Sequence, residues 1–89
     1  MARTLLKGDE VAVPQSAGAG VSFTEATVVR LVNTNAAARV ITVKESRAGT
    51  GIGTFTMLPS TTELLEKVAS HIVFASGGGV KGAKVGFTG

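Results

Sequence analysis

Two short runs of alternating residues, TEATVVRLVN (residues 24–33) and ARVITVKE (residues 38–45), leave little room for anything but extended chain. A strand turns successive side chains to opposite faces, so a period of two marks a segment with one buried side. In the first run Val29 and Leu31 share a face with Thr27, while Val28, Arg30 and Val32 take the other. In the second, Ile41 and Val43 oppose Val40, Thr42 and Lys44. The link NTNAA supplies two asparagines, which tolerate left-handed backbone and cap turns with their side chains. The pair reads as an antiparallel hairpin or a near relative of one.

The same alternation recurs downstream. In IGTFTML, Phe55 and Met57 alternate with Thr54, Thr56 and Leu58, and Pro59 ends the strand because it cannot donate to a ladder. HIVFAS and VKGAKVGFT form a last pair, the second with Ala83, Val85 and Phe87 on one face and Lys84 and Thr88 on the other. Between them GGGVKG matches G-x-G-x-x-G, but no helix and second strand fit into Ala83 to Gly89, and no acidic residue follows. A dinucleotide loop needs that helix N-terminus. The glycine run reads instead as a hairpin connection. With EVAVP at the front, about six to seven strands emerge. The expected fold is all-β, a small single-domain antiparallel β-sandwich or barrel.

One segment fits two assignments. STTELLEKVAS opens with Ser60 and has Glu63 three positions on, a capping box, and Leu64, Leu65, Val68 and Ile72 follow at roughly helical spacing. As a strand it would set Glu63, Leu65 and Lys67 against Leu64, Glu66 and Val68. A short helix near Thr61–Ser70 and a strand both stay open, and the fold class holds either way.

At 89 residues the chain has room for one modest core, and such small domains often draw stability from disulfides, metals or neighbouring subunits. Cysteine is absent and His71 is the single histidine, so disulfides, thiolate sites and histidine clusters within one chain are excluded. No metal or cofactor is expected. Packing against other subunits is the remaining route.

Chemistry is equally sparse. The acids are Asp9 and five glutamates, with Glu63 and Glu66 the close pair outside Asp9–Glu10. Beside Lys67 that pair reads as a solvated surface, and His71, just before IVF, as a strand-edge residue. Acid–base catalysis needs paired groups with divergent pKa values, so no enzyme is expected. Nine basic residues spread from Arg3 to Lys84 give a net charge of +3 without a patch or stripe. Of the four phenylalanines, three sit in apolar alternation and read as core, so a base-stacking barrel is not supported and nucleic-acid binding is disfavoured. No signal peptide or membrane span is legible, which fits synthesis in the cytoplasm.

PQSAGAGVS, residues 14–22, is small, polar and glycine-rich, and reads as a mobile loop or an arm lying across a neighbouring subunit. Partner contacts are expected at Arg3, Pro14, Gln15, Ser16, Arg47 and Thr50, with the two arginines pairing with carboxylates through bidentate guanidinium geometry.

The runs ATVVRLVNTNAAARVITVKES and GTFTMLPSTTELLEKVASHIVFAS, with the closing AKVGFTG, together resemble small virion structural proteins of tailed bacteriophages, especially of the cyanophage type. The order of parts carries the resemblance: a strand ending in asparagine, a small-residue turn, a strand ending in Lys-Glu-Ser, a threonine-rich strand, Pro59, Glu66-Lys67 and a final Val-Gly-Phe. It spans about Ala26 to Gly89, with His71 where the pattern usually has an aspartate. The resemblance implies a β-domain present in many copies on a virion: a capsid decoration (cement) protein bound to the major capsid protein, or a neck, tail or fibre-attachment component. It transfers no catalytic residue.

Overall fold

The structure, a computed structural model, describes residues 3–88, and side chains from Leu5 to Gly86 other than Ala17. Eight strands run in chain order as β1 (Arg3–Leu6), β2 (Val11–Ala12), β3 (Val28–Asn33), β4 (Arg39–Lys44), β5 (Gly51–Met57), β6 (Thr62–Glu66), β7 (Ile72–Ala75) and β8 (Val80–Thr88). All pairings are antiparallel, in two sheets: one ordered β1-β8-β3-β6 with β2 also on β8, the other β5-β4-β7. The expected all-β sandwich is present, with the strand RTLL added at the front.

The inward faces of three strands are those the alternation marks. Val29 and Leu31 of β3, Ile41 and Val43 of β4, and Met57 of β5 are buried, with Phe55 packed against them. The ambiguous segment is strand β6, not a helix. Thr27 receives a hydrogen bond from the Lys67 amide (2.8 Å) and Thr61 one from Asn33, so both ends are tied to β3. Ladder bonds to a ready-made edge outweigh an intrinsic helical preference of a few tenths of a kcal/mol per residue.

Pairing differs from the sequence reading in two places. β3 and β4 do not form a hairpin, since β3 lies between β8 and β6 while β4 lies between β5 and β7. Nor do β7 and β8 pair: the Ser76–Gly79 turn, with Gly79 at φ +95°, carries the chain from one sheet to the other. Both links are arches between sheets. Only β4 and β5 are consecutive strands paired with each other through a short loop.

β8 is also turned over relative to its apolar residues. Its register sets Gly82 opposite Leu31 and Lys84 opposite Val29, so Val80, Gly82 and Lys84 take the inward face. Ala83 lies opposite Arg30 and, with Val85, faces outward, both still little exposed. The space that a larger inward residue would fill is taken by Phe23: a Cβ on Gly82 would lie 2.8 Å from Phe23 Cζ. Phe23, outside any alternation, is thus the phenylalanine buried in the core. Phe74 lies opposite Thr42 on the outer face and is half-buried, and the side chain of Phe87 lies outside the described residues.

Candidate functional site

A sandwich has four sheet edges, and each exposes backbone donors and acceptors unless something guards it. Here the N-terminal residues guard two. Along β8, Lys7 donates its amide to Lys84 and Val13 to Val80, so β1 and β2 form one interrupted edge strand. Gly8, Asp9 and Glu10 oppose Ala83 alone, a charged bulge of the kind that blunts an edge. On the other sheet, β7 is capped by residues 14–21. Val21 and Val73 exchange both backbone bonds (3.3 and 2.8 Å), and the Ala75 amide donates to Pro14 (2.8 Å).

Residues 14–21 therefore lie along β7 of their own chain. Arg47 is drawn into the same arrangement, its Nε donating to the Gly20 carbonyl at 2.9 Å. Pro14 is half-buried, while Gln15, Ser16 and Thr50 stay exposed, Thr50 accepting the Glu45 amide (3.0 Å). Arg3 is placed in β1 opposite Thr88, and its side chain lies outside the described residues. Of the expected contact residues, the structure brings together Pro14, Gln15, Ser16 and Arg47 near one segment, with part of their bonding capacity used inside the chain.

The other two edges, β5 and β6, like the bulge-broken β1–β2 edge, have no second strand partner among the described residues. They are consecutive strands joined by the turn Leu58–Thr61, so they lie on one side of the molecule. Asn33 closes that turn from inside. Its backbone exchanges bonds with Thr61 and Ser60, and its buried Nδ2 donates to the carbonyls of Ala37 (3.0 Å) and Met57 (3.1 Å). Between the two edges runs a cleft of about 400 Å³, floored by Val43, Phe55 and Leu65 and rimmed by Ile52, Val68 and His71. Ile52 and Val68 on its rim, Leu58 in the turn and Leu64 on the outer face of β6 are each about half exposed or more.

The hydrogen-bond parity of the ladders tells which backbone groups point outward. Asn33 bonds towards β6, so Leu31 and Val29 do too, pairing with Glu63 and Leu65. Thr62, Leu64 and Glu66 are left with their amides and carbonyls aimed away from the sheet. On β5 the corresponding groups belong to Thr54 and Thr56. Val73 bonds to Val21, so Phe74 bonds to Thr42, and Thr42 leaves its β5 neighbour Thr54 unpaired.

Glu66 and Lys67 both line the cleft, Lys67 from the buried side. Lys67, expected on a solvated face beside Glu63 and Glu66, is buried, its Nζ donating to the carbonyls of Val68 (3.3 Å) and Ala69 (3.1 Å). Loss of hydration lowers its pKa from the ordinary lysine value, Glu25 opposes that shift, and Lys84 adds to it. Among the described residues no three of His, Cys, Asp or Glu come close enough to hold a metal ion. The geometry offers hydrophobic contact and strand pairing.

Comparison of the chain with protein-family models, with curated proteins and with solved structures finds no match. The sequence marks this site only in part. The alternation in TELLEKV does set Leu64 and Val68 on the face opposite Leu65, which is the one local signal that apolar side chains remain uncovered. That β5 and β6 are edges is a property of the pairing.

Proposed function

We propose that this chain is a non-enzymatic structural protein of a tailed-phage virion, a decoration (cement) protein that bridges neighbouring capsid subunits. The observation that carries the reading is the pair of open edges on one side, β5 and β6, flanked by exposed Ile52, Leu58, Leu64 and Val68. Proteins that live alone blunt such edges, because they template pairing with other chains. In a particle the same edges accept a strand or apolar side chains from a neighbour. The phage setting rests on the resemblance over residues 26–89, and the major capsid protein is the partner it implies.

The mechanism is mass action. Each copy binds assembled shell better than loose subunits and so biases the equilibrium toward the intact particle. The test uses particles of the phage whose genome encodes the chain, assembled with and without it. Shells lacking the protein are expected to rupture at lower temperature and milder osmotic shock. Equal rupture thresholds overturn the cement role.

A further inference from the structure

We infer that β6 is a self-pairing edge: two copies of this chain join β6 to β6 about a twofold axis through Leu64, making one continuous sheet. The inference deepens the reading above by naming a partner at one of its two edges, and rests on that side being a protein contact.

The register is self-complementary. Thr62, Leu64 and Glu66 all direct their backbone groups outward, as the bonding of Asn33 to Thr61 and of Lys67 to Thr27 fixes. A twofold centred on Leu64 sets Leu64 against Leu64, and Thr62 of each copy against Glu66 of the other. Every outward amide then meets an outward carbonyl, giving about six cross-chain hydrogen bonds. On the outer face the two Leu64 side chains, each 49% exposed alone, come together at the centre. Each Glu66 faces a threonine, and each Glu63 faces Leu65.

Other registers are penalised. Centring the axis on Glu63 or on Glu66 places glutamate directly opposite glutamate, which is destabilising between strands. Centring it on Leu65 pairs Leu64 with Glu66 only and leaves the groups of Thr62 unused. The glutamates thus exclude two centrings, and those on Leu65 and Thr62 pair fewer of the outward groups within β6. β5 lacks such selection: it carries no charge, is softened by Gly51 and Gly53, and shifts register against β4 between Val43 and Lys44.

The experiment is sedimentation equilibrium of the whole chain up to about 1 mM, alongside single variants and amide hydrogen exchange. Wild type is expected to dimerise, with the amides of Thr62, Leu64 and Glu66 gaining protection as concentration rises. Leu64→Pro should abolish dimerisation while the monomer folds, since the Leu64 amide is not used within the chain and proline is tolerated at an outward edge position. Thr62→Glu, set against Glu66, should weaken the dimer about tenfold, and Thr62→Lys should not weaken it. Thr54→Pro on β5 should leave it unchanged. A wild-type chain monomeric throughout, or a dimer lost with Thr54→Pro and kept with Leu64→Pro, overturns the inference. A monomer that still protects particles would leave the cement role standing, and a Leu64-dependent dimer without effect on particles would do the reverse.

Discussion

Asn33, at the end of β3, donates a side-chain hydrogen bond of 3.1 Å to the backbone carbonyl of Met57, at the end of β5 in the other sheet. Both residues are almost fully shielded from water. The same amide group donates to Ala37, and the Asn33 Oδ1 accepts the Asn35 amide at 3.0 Å. One side chain therefore sets the β3–β4 arch and the start of the β5–β6 turn at once. Asn33→Leu would keep the volume but remove the bonds to Ala37, Asn35 and Met57, whose carbonyl keeps its ladder partner Arg39. The expected cost is about 0.5–1.5 kcal/mol per lost bond, read as a lower midpoint in urea denaturation. An unchanged midpoint would show that water replaces the amide.

Gly82 and Phe23 share one space in the core. A methyl at Gly82 would lie 2.8 Å from Phe23 Cζ and 2.9 Å from Leu31 Cδ2. Gly82→Ala should destabilise the fold by roughly 1–3 kcal/mol through overpacking. Shortening the opposing ring with Phe23→Leu in the same chain should recover part of the loss. A double-mutant cycle with no coupling between the two sites would sink this account.

The turn that delivers Phe23 is left-handed. Phe23, Thr24 and Glu25 hold φ near +55° in succession (56°, 57° and 54°), with the Ala26 amide closing back on the Ser22 carbonyl at 3.1 Å. Such backbone costs non-glycine residues roughly 1–2 kcal/mol each. Thr24 is exposed, and what it contributes is its carbonyl, which accepts from Lys84 Nζ at 3.0 Å. Thr24→Gly keeps that carbonyl and relieves the strain, so thermal denaturation should show a gain of about 0.5–1 kcal/mol after the entropy of glycine is counted. A lower melting temperature for this variant would contradict the left-handed turn.

Lys67 gives the fold a pH dependence of definite sign. Burial lowers its pKa in the folded state, so between that value and the unfolded value near 10.4 the unfolded chain binds more protons. Stability from this group therefore rises with pH across that window and is least when the amine is charged in both states. Lys67→Met should flatten the alkaline rise in melting temperature measured from neutral pH to about pH 10. The same slope in both proteins would mean that the amine is hydrated in the fold.

Much of the architecture was legible one strand at a time. Val29, Leu31, Ile41, Val43, Phe55 and Met57 take the inward positions that a period of two assigns, because alternation is a local property of extended backbone. Asparagine and glycine marked the turns for the same local reason. What those turns connect was settled only in three dimensions. An arch and a hairpin use similar small residues, and a strand offers the same backbone groups to any neighbour, so β3 next to β8 and β4 next to β7 follow from how two sheets close over one core. The inward glycine of β8 depends on Phe23, more than fifty residues away in sequence, and the burial of Lys67 on the carbonyls just after β6. That β5 and β6 are edges while residues 3–21 lie along β8 and β7 is likewise a matter of pairing, which no local pattern encodes.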